Sequence, residues 1–260
     1  MDRPLPADRN RAFPMLNMNF PAVLDDEIPT FLNDIATSQH QPALEPSHTV
    51  YSLFIGTNDL GNNGFATDSQ VSGTVLADYT NCIFDVLDKL YASGARYFLL
   101  LDTVPLHLLP QYANETLGSV DNTRFYPDKE SNHTRVAQKM HQLTTSANEI
   151  LKYQTPFELL VAGRYPGAHV ALFDMYALFS DIYHTPELYL NGTERANVKG
   201  WIEHCDLDFE NCVKEFDGKS DDSFMWFDEL HPSEQVHRVL GREVAETLKG
   251  RGAYATYWSS

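Results

Sequence analysis

YSLFIGTNDLG, residues Tyr51 to Gly61, decides the fold. It begins as a short apolar, β-favouring run and stops at Gly56-Thr57-Asn58-Asp59. Such a run, closed by Gly and Asn/Asp, reads as a buried strand of an α/β sheet with polar residues at its carboxyl end. Ligand crevices in open α/β sheets lie outside those ends. Gly56 permits a sharp exit from the strand, and Asn58 offers a side-chain amide donor. A strand followed by an ordinary turn explains the same letters.

Outward from this stretch, the pattern repeats. Arg96 to Asp102 (RYFLLLD) and His169 to Phe173 (HVALF) are two further apolar runs, each closing on an aspartate, Asp102 and Asp174. Between the first two runs, Leu76, Tyr79, Ile83, Val86, Leu87 and Leu90 share one face of a helix over about 75–92, capped by Gly94. A long helical region over about 131–161, bent near Pro156, separates the second and third runs. A short helix follows the third strand to about Tyr183, and a last helix runs from about Ser233 to Leu248. Pro21 to Ile35 has helical spacing interrupted at Pro29, and residues 1 to about 18, 105–129 and 185–224 read as loop or irregular chain. Alternating strands and helices predict an α/β fold with parallel strands and right-handed crossovers, in a single domain over residues 1–260.

Composition bounds the function. The 260 residues are 43% hydrophobic and 21% charged, with a formal net charge of -17. That acidity argues against nucleic acid or an anionic membrane as a partner, because both demand a basic face. No apolar run reaches the length of a membrane span. Of three cysteines, Cys205 and Cys212 stand close enough in a polar stretch for a small-loop disulfide, while Cys82 reads as a buried apolar side chain within a helix. Asn114, Asn132 and Asn191 each open an Asn-x-Thr glycosylation pattern. Together these lean towards an extracellular protein, although the first twenty residues show no signal-peptide pattern.

Near the other end, FMWFDELHP (Phe224 to Pro232) places Asp228 three residues before His231, just ahead of a helix. On a tight turn this spacing can set a carboxylate against imidazole Nδ1 and leave Nε2 free as a base. Capping residues with no chemistry show the same spacing. A zinc reading with His204 or Cys205 is weaker, because no paired-ligand spacing of the structural-zinc kind appears.

Gly56-Thr57-Asn58-Asp59, followed far downstream by Asp228-x-x-His231-Pro232, resembles the third and fifth sequence blocks of the SGNH (GDSL) hydrolases. LFIGTNDLG and FMWFDELHPSEQVHRVLG resemble in particular the fungal carbohydrate esterase family 16 acetylesterases and GDSL lipase-like acylhydrolases. The resemblance runs from about residue 15 to the end. It implies a flavodoxin-like, three-layer SGNH-hydrolase fold and hydrolysis of an ester, such as an acetylated carbohydrate, by a secreted enzyme that needs no cofactor. His231 would be the general base, Asp228 its orienter, and Asn58, aimed by Gly56, an oxyanion-hole donor.

Two blocks of that family are not found. No Gly-Asp-Ser and no G-x-S-x-G occurs in the 260 residues; Ser69, in Thr67-Asp68-Ser69, is the nearest imitation and follows a loop. By family logic both missing blocks precede Gly56, so the expectation is a chain truncated at its N-terminus. The first strands would be missing and the 51–55 strand left with an unpaired apolar edge. Such a chain has no nucleophile of its own. The alternative is a non-catalytic SGNH-fold protein that binds glycans or a protein partner.

Overall fold

The computed structural model describes residues 12–13, 18–19, 21–37, 44–214 and 220–260. The chain divides into two compact units, each assembled from separated segments. One holds residues 1–102, 145–173 and 256–260; the other holds 103–144 and 174–255.

The first unit is built on a four-stranded sheet in the order Ala255–Ser259, His169–Phe173, Tyr97–Leu101, Val50–Phe54. The three strands expected from sequence pair in parallel and in register, Phe54 against Leu101 and Leu101 against Phe173, so their carboxyl ends align. Tyr97–Leu101 is central, and Phe98, Leu99 and Leu100 are buried on both faces, which is why it reads as unbroken apolar sequence. Val50–Phe54 departs from the expectation of a fully buried strand. Its burial alternates, with Val50 and Phe54 45% and 48% exposed. Among the described residues no strand pairs with its outer edge.

Helix Leu76–Ala92 buries Tyr79, Ile83, Val86, Leu87 and Leu90 of the stripe read from its spacing, with Phe84 beside them, while Leu76 is half-buried. It ends at Gly94, whose φ of +108° is the left-handed conformation that a glycine adopts without a Cβ clash. Cys82 on this helix is half-buried rather than buried. The segment after helix His133–Pro156 is fastened to it. Tyr165 donates its buried hydroxyl to Phe84 O at 3.0 Å, and Arg164 forks onto Asp88 at 2.6 and 2.9 Å. The predicted bend at Pro156 is a helix end passing into a π-type turn, Phe157–Val161. At the other end of the unit, Pro29 does not interrupt its helix. It stands in the first turn of Ile28–Ala36, where its missing N–H costs nothing.

The second unit contains helices Met175–His184 and Glu234–Leu248. Its core includes Leu106, Met140, Met175, Leu178, Phe179, Ile202, Met225, Trp226 and Val236. Residues 185–224 are not simply irregular, as the sequence suggested. Asn197–Trp201 runs parallel to Phe224–Trp226, and Glu203–Cys205 pairs antiparallel with Cys212–Lys214. Residues 1–18, expected as loop, contain a two-residue ladder of Ala12–Phe13 with Met18–Asn19; the rest of that stretch falls outside the described residues. Among the described residues no helix is long and apolar enough to cross a membrane. The fold is mixed α/β with a parallel sheet, as expected for the SGNH hydrolases.

Candidate active site

The turn that carries Asp228 and His231 is fixed at both ends by backbone. Phe227 N–H donates to His231 O at 2.8 Å, Trp226 bridges Pro232, and Ser233 N–H donates to Met225 O at 2.9 Å. Ser233 then caps the final helix through Oγ, which accepts from Val236 N–H. Under the turn lies Trp226, fully buried, its indole N–H satisfied by Val198 O at 2.8 Å. Truncating such an anchor to alanine costs about 3–5 kcal/mol.

Within this closed turn Asp228 folds back on its own backbone. Oδ1 accepts from Leu230 N–H at 2.9 Å and His231 N–H at 2.7 Å, an Asx-type arrangement. The carboxylate also faces His231 Nδ1, at 3.0 Å from Oδ1 and 2.9 Å from Oδ2. Because a carboxylate only accepts, Nδ1 carries the proton and Nε2 presents a lone pair. Among the described residues Nε2 has no hydrogen-bond partner. The carboxylate is 4% exposed and the imidazole 56%, so the acid is sheltered while the base meets solvent. Burial alone would raise the Asp228 carboxyl. The hydrogen bond and charge of His231, with the two backbone N–H groups, outweigh burial and hold it below the usual carboxylate range. Chemically, the pair is an oriented base able to take a proton from a hydroxyl and return it to a leaving group.

A third partner comes from far along the chain. Arg124 Nη2 donates to Asp228 Oδ2 at 2.9 Å and lies 3.5 Å from Glu203 Oε2. Next to Asp228, Glu229 is also buried, and burial pushes its carboxyl up. Cys205 and Cys212 are bonded to each other and close the turn between the two short strands. With Glu203 their sulfurs lie within 4.8 Å of one another, a cluster of metal-ligating atom types. Sulfurs spent on a disulfide offer no thiolate, so this cluster suits no zinc of the structural kind.

Gly56 and Asn58 sit on the first unit. Gly56 follows the strand at φ +119°, a conformation in which any side chain is strained by about 1 kcal/mol or more. Its carbonyl starts the one-turn helix Thr57–Leu60 by accepting from Leu60 N–H at 2.9 Å. Tyr79 donates its hydroxyl to Ile55 O at 3.1 Å and so pins the strand end. Asn58 is exposed on this turn. A Cβ at Gly64 would lie 2.1 Å from Asp59 O and 2.8 Å from Asn58 O, so the backbone carrying Asn58 is backed by a residue that must be glycine.

Two serines, Ser69 and Ser119, differ in their partners. Ser69 Oγ bonds Thr67 Oγ1 at 2.9 Å and has no imidazole beside it among its hydrogen bonds. Ser119 Oγ lies 3.0 Å from His133 Nδ1, and His133 Nε2 lies 3.4 Å from Asp121 Oδ1. The likeness to a triad ends there. Asp121 is 94% exposed, so no sheltered carboxylate orients that ring. Of the three glycosylation asparagines, Asn114 and Asn132 stand just before helix starts and Asn191 in irregular chain. Asn114 Oδ1 accepts from Thr116 N–H and Leu117 N–H, Asn132 Oδ1 accepts from Arg135 N–H, and Asn191 is exposed.

Sequence reasoning placed Asp228 against His231 because their contact is local. It missed Arg124, whose contact spans 104 residues and leaves no local signal.

This chain is similar to known proteins over most of its length. The GDSL-like Lipase/Acylhydrolase family matches residues 13–244. An acetylesterase of Hypocrea jecorina is 39% identical over 244 residues, covering 94% of this chain and 69% of that protein. A thermolabile hemolysin of Vibrio parahaemolyticus is 21% identical over 213 residues, covering 81% of this chain and 44% of that protein. A GDSL esterase/lipase of Arabidopsis thaliana is 25% identical over 224 residues, covering 84% of this chain and 56% of that protein. This chain belongs to the GDSL-like lipase/acylhydrolase family of ester hydrolases.

Proposed function

We propose that this protein is a secreted esterase that removes acetyl groups from carbohydrates by serine-based acyl transfer, with His231 as general base and Asp228 as its orienter. The observation that carries this reading is the sheltered Asp228 carboxylate held against Nδ1 of a solvent-facing His231. In the first half-reaction Nε2 takes the proton of a serine hydroxyl as Oγ attacks the acyl carbon. Collapse of the tetrahedral intermediate expels the sugar alcohol, which leaves with that proton. Water then attacks the acyl-serine with His231 again as base, and acetate is released. Asn58 serves as a donor to the oxyanion, and Gly56 shapes the turn that presents it. The chemistry calls for no metal or organic cofactor. No Gly-Asp-Ser turn occurs in the 260 residues, so none of their serines is assigned as this nucleophile.

The acetylesterase of Hypocrea jecorina supports the acyl group, and family resemblance supports the carbohydrate alcohol. The disulfide and the three Asn-x-Thr patterns at Asn114, Asn132 and Asn191 support an extracellular, glycosylated protein. One observation favours a second reading, a non-catalytic SGNH-fold protein that binds glycans or a protein partner: no nucleophile block stands in these residues.

Hydrolysis of acetylated xylo-oligosaccharides by the natural protein and its His231→Ala variant separates the two readings. The esterase reading predicts turnover in the former and a loss on the order of 10⁴- to 10⁶-fold in the latter. Glycan binding without turnover, or unchanged turnover in the variant, would overthrow it.

A further inference from the structure

We infer that Arg124 is a positioning residue for the Asp228–His231 pair, held in place by the disulfide-closed turn Cys205–Cys212. The inference rests on the reading of that pair as the base of the ester hydrolase.

Asp228 Oδ1 is already committed to two backbone N–H groups, at 2.9 and 2.7 Å. Oδ2 accepts from His231 Nδ1 at 2.9 Å and from Arg124 Nη2 at 2.9 Å. With a donor fixed on each side, the carboxylate plane cannot turn, and the imidazole it holds cannot follow. At 4% exposure, the carboxylate has little water to replace a lost donor.

Arg124 is itself confined. Its side chain is 6% exposed, and its guanidinium carbon lies 4.8 Å from the ring centroids of both Phe125 and Phe209, two rings that pack edge to face on each other. Nη1 contacts Cys205 Sγ at 2.7 Å and Cys212 Sγ at 3.8 Å. Phe209 stands inside the disulfide loop at φ +64°, a backbone state that the short closed turn imposes on a bulky residue. The neighbouring Phe125 sets its ring edge-on to His231, with centroids 5.3 Å apart. Arg124 and Phe125 therefore touch both members of the pair, one through the carboxylate and one through the imidazole. Glu203 Oε2, 3.5 Å from Nη2, and Glu229 Oε2, 3.8 Å from Nε, supply opposing charge without competing for Oδ2.

A planar guanidinium set against two aromatic rings suits this place; a lysine keeps the charge and loses the plane. A purely structural buried ion pair would affect stability alone, so the test reads turnover and imidazole state. In the natural protein, Arg124→Met lowers kcat on the order of 10- to 100-fold with KM unchanged, and Arg124→Lys recovers part of it. Ring ¹⁵N resonances show His231 as the Nδ1–H tautomer in the native protein and as a tautomer mixture in Arg124→Met. A folded Arg124→Met with native kcat and an unaltered tautomer overturns the inference. Where Arg124→Met does not fold, Arg124→Lys decides. Lowered kcat with a mixed tautomer supports the inference, and native values of both overturn it. His231→Ala in parallel separates the two levels, since retained turnover there refutes the base itself, whatever Arg124 does.

Discussion

Asp228→Asn replaces one carboxylate oxygen with an NH₂ group in a place where every neighbour is a donor. If the amide oxygen keeps the Oδ1 position, NH₂ faces Arg124 Nη2 at 2.9 Å and the Nδ1–H of His231. If it keeps the Oδ2 position, NH₂ faces the N–H groups of Leu230 and His231, at 2.9 and 2.7 Å. Neither orientation satisfies all four. Each buried donor left unmade costs about 1–3 kcal/mol, and breaking a buried ion pair outright costs about 3–5 kcal/mol. Arg124 retains Glu203 at 3.5 Å as a partial partner, which favours the lower end of that range. A loss of about 2–3 kcal/mol, at roughly 2–4 °C per kcal/mol for a chain of this size, lowers Tm by about 5–10 °C. The imidazole also loses the acceptor that fixes its tautomer, so kcat falls on the order of 10⁴-fold. Thermal melting by circular dichroism and acetyl-ester hydrolysis measure the two effects on one preparation. A variant that melts with the native protein and turns over normally would refute the network described for this turn.

His107 predicts a pH dependence. Burial, then the nearby His141 and His184, push its pKa down to about 4, so it is neutral in the fold, whereas in the unfolded chain it titrates near 6.5. Its contribution is present in full above pH 6.5 and is lost as pH falls towards about 4, about 2–3 kcal/mol after solvent screening. Urea unfolding across that window should show the decline, and His107→Gln should flatten it; an identical slope in the variant would remove His107 as the cause. Replacing both Cys205 and Cys212 with alanine opens a small loop and should cost about 2 kcal/mol, and reductant should lower the native Tm by a similar amount. Insensitivity to reductant would deny the bond. Asn58→Ala should lower kcat on the order of 100- to 1000-fold; undiminished kcat would exclude Asn58 from the oxyanion hole.

Legibility in the sequence followed the range of the interactions. Tyr97–Leu101 was readable because a central parallel strand is apolar on both faces, and helix Leu76–Ala92 because one face alone is buried. The Asp228 turn was readable because its acceptors and donors lie within three residues. Val50–Phe54 was over-read as buried, since an apolar run does not reveal whether both edges and faces are covered. The ladders Glu203–Cys205 and Cys212–Lys214, three residues each and mostly polar, are stabilised by their disulfide rather than by any pattern. Arg124 was invisible for the same reason that it matters. It reaches across the chain to the same carboxylate oxygen that holds His231 Nδ1.

Covalent labelling of the natural protein with a fluorophosphonate, followed by peptide mapping of the adduct, tests the central claim most directly. One serine should be labelled, in a Gly-Asp-Ser context, with labelling abolished in His231→Ala. An adduct on Ser69, Ser119 or any other serine of these residues, or labelling that survives loss of His231, would contradict it.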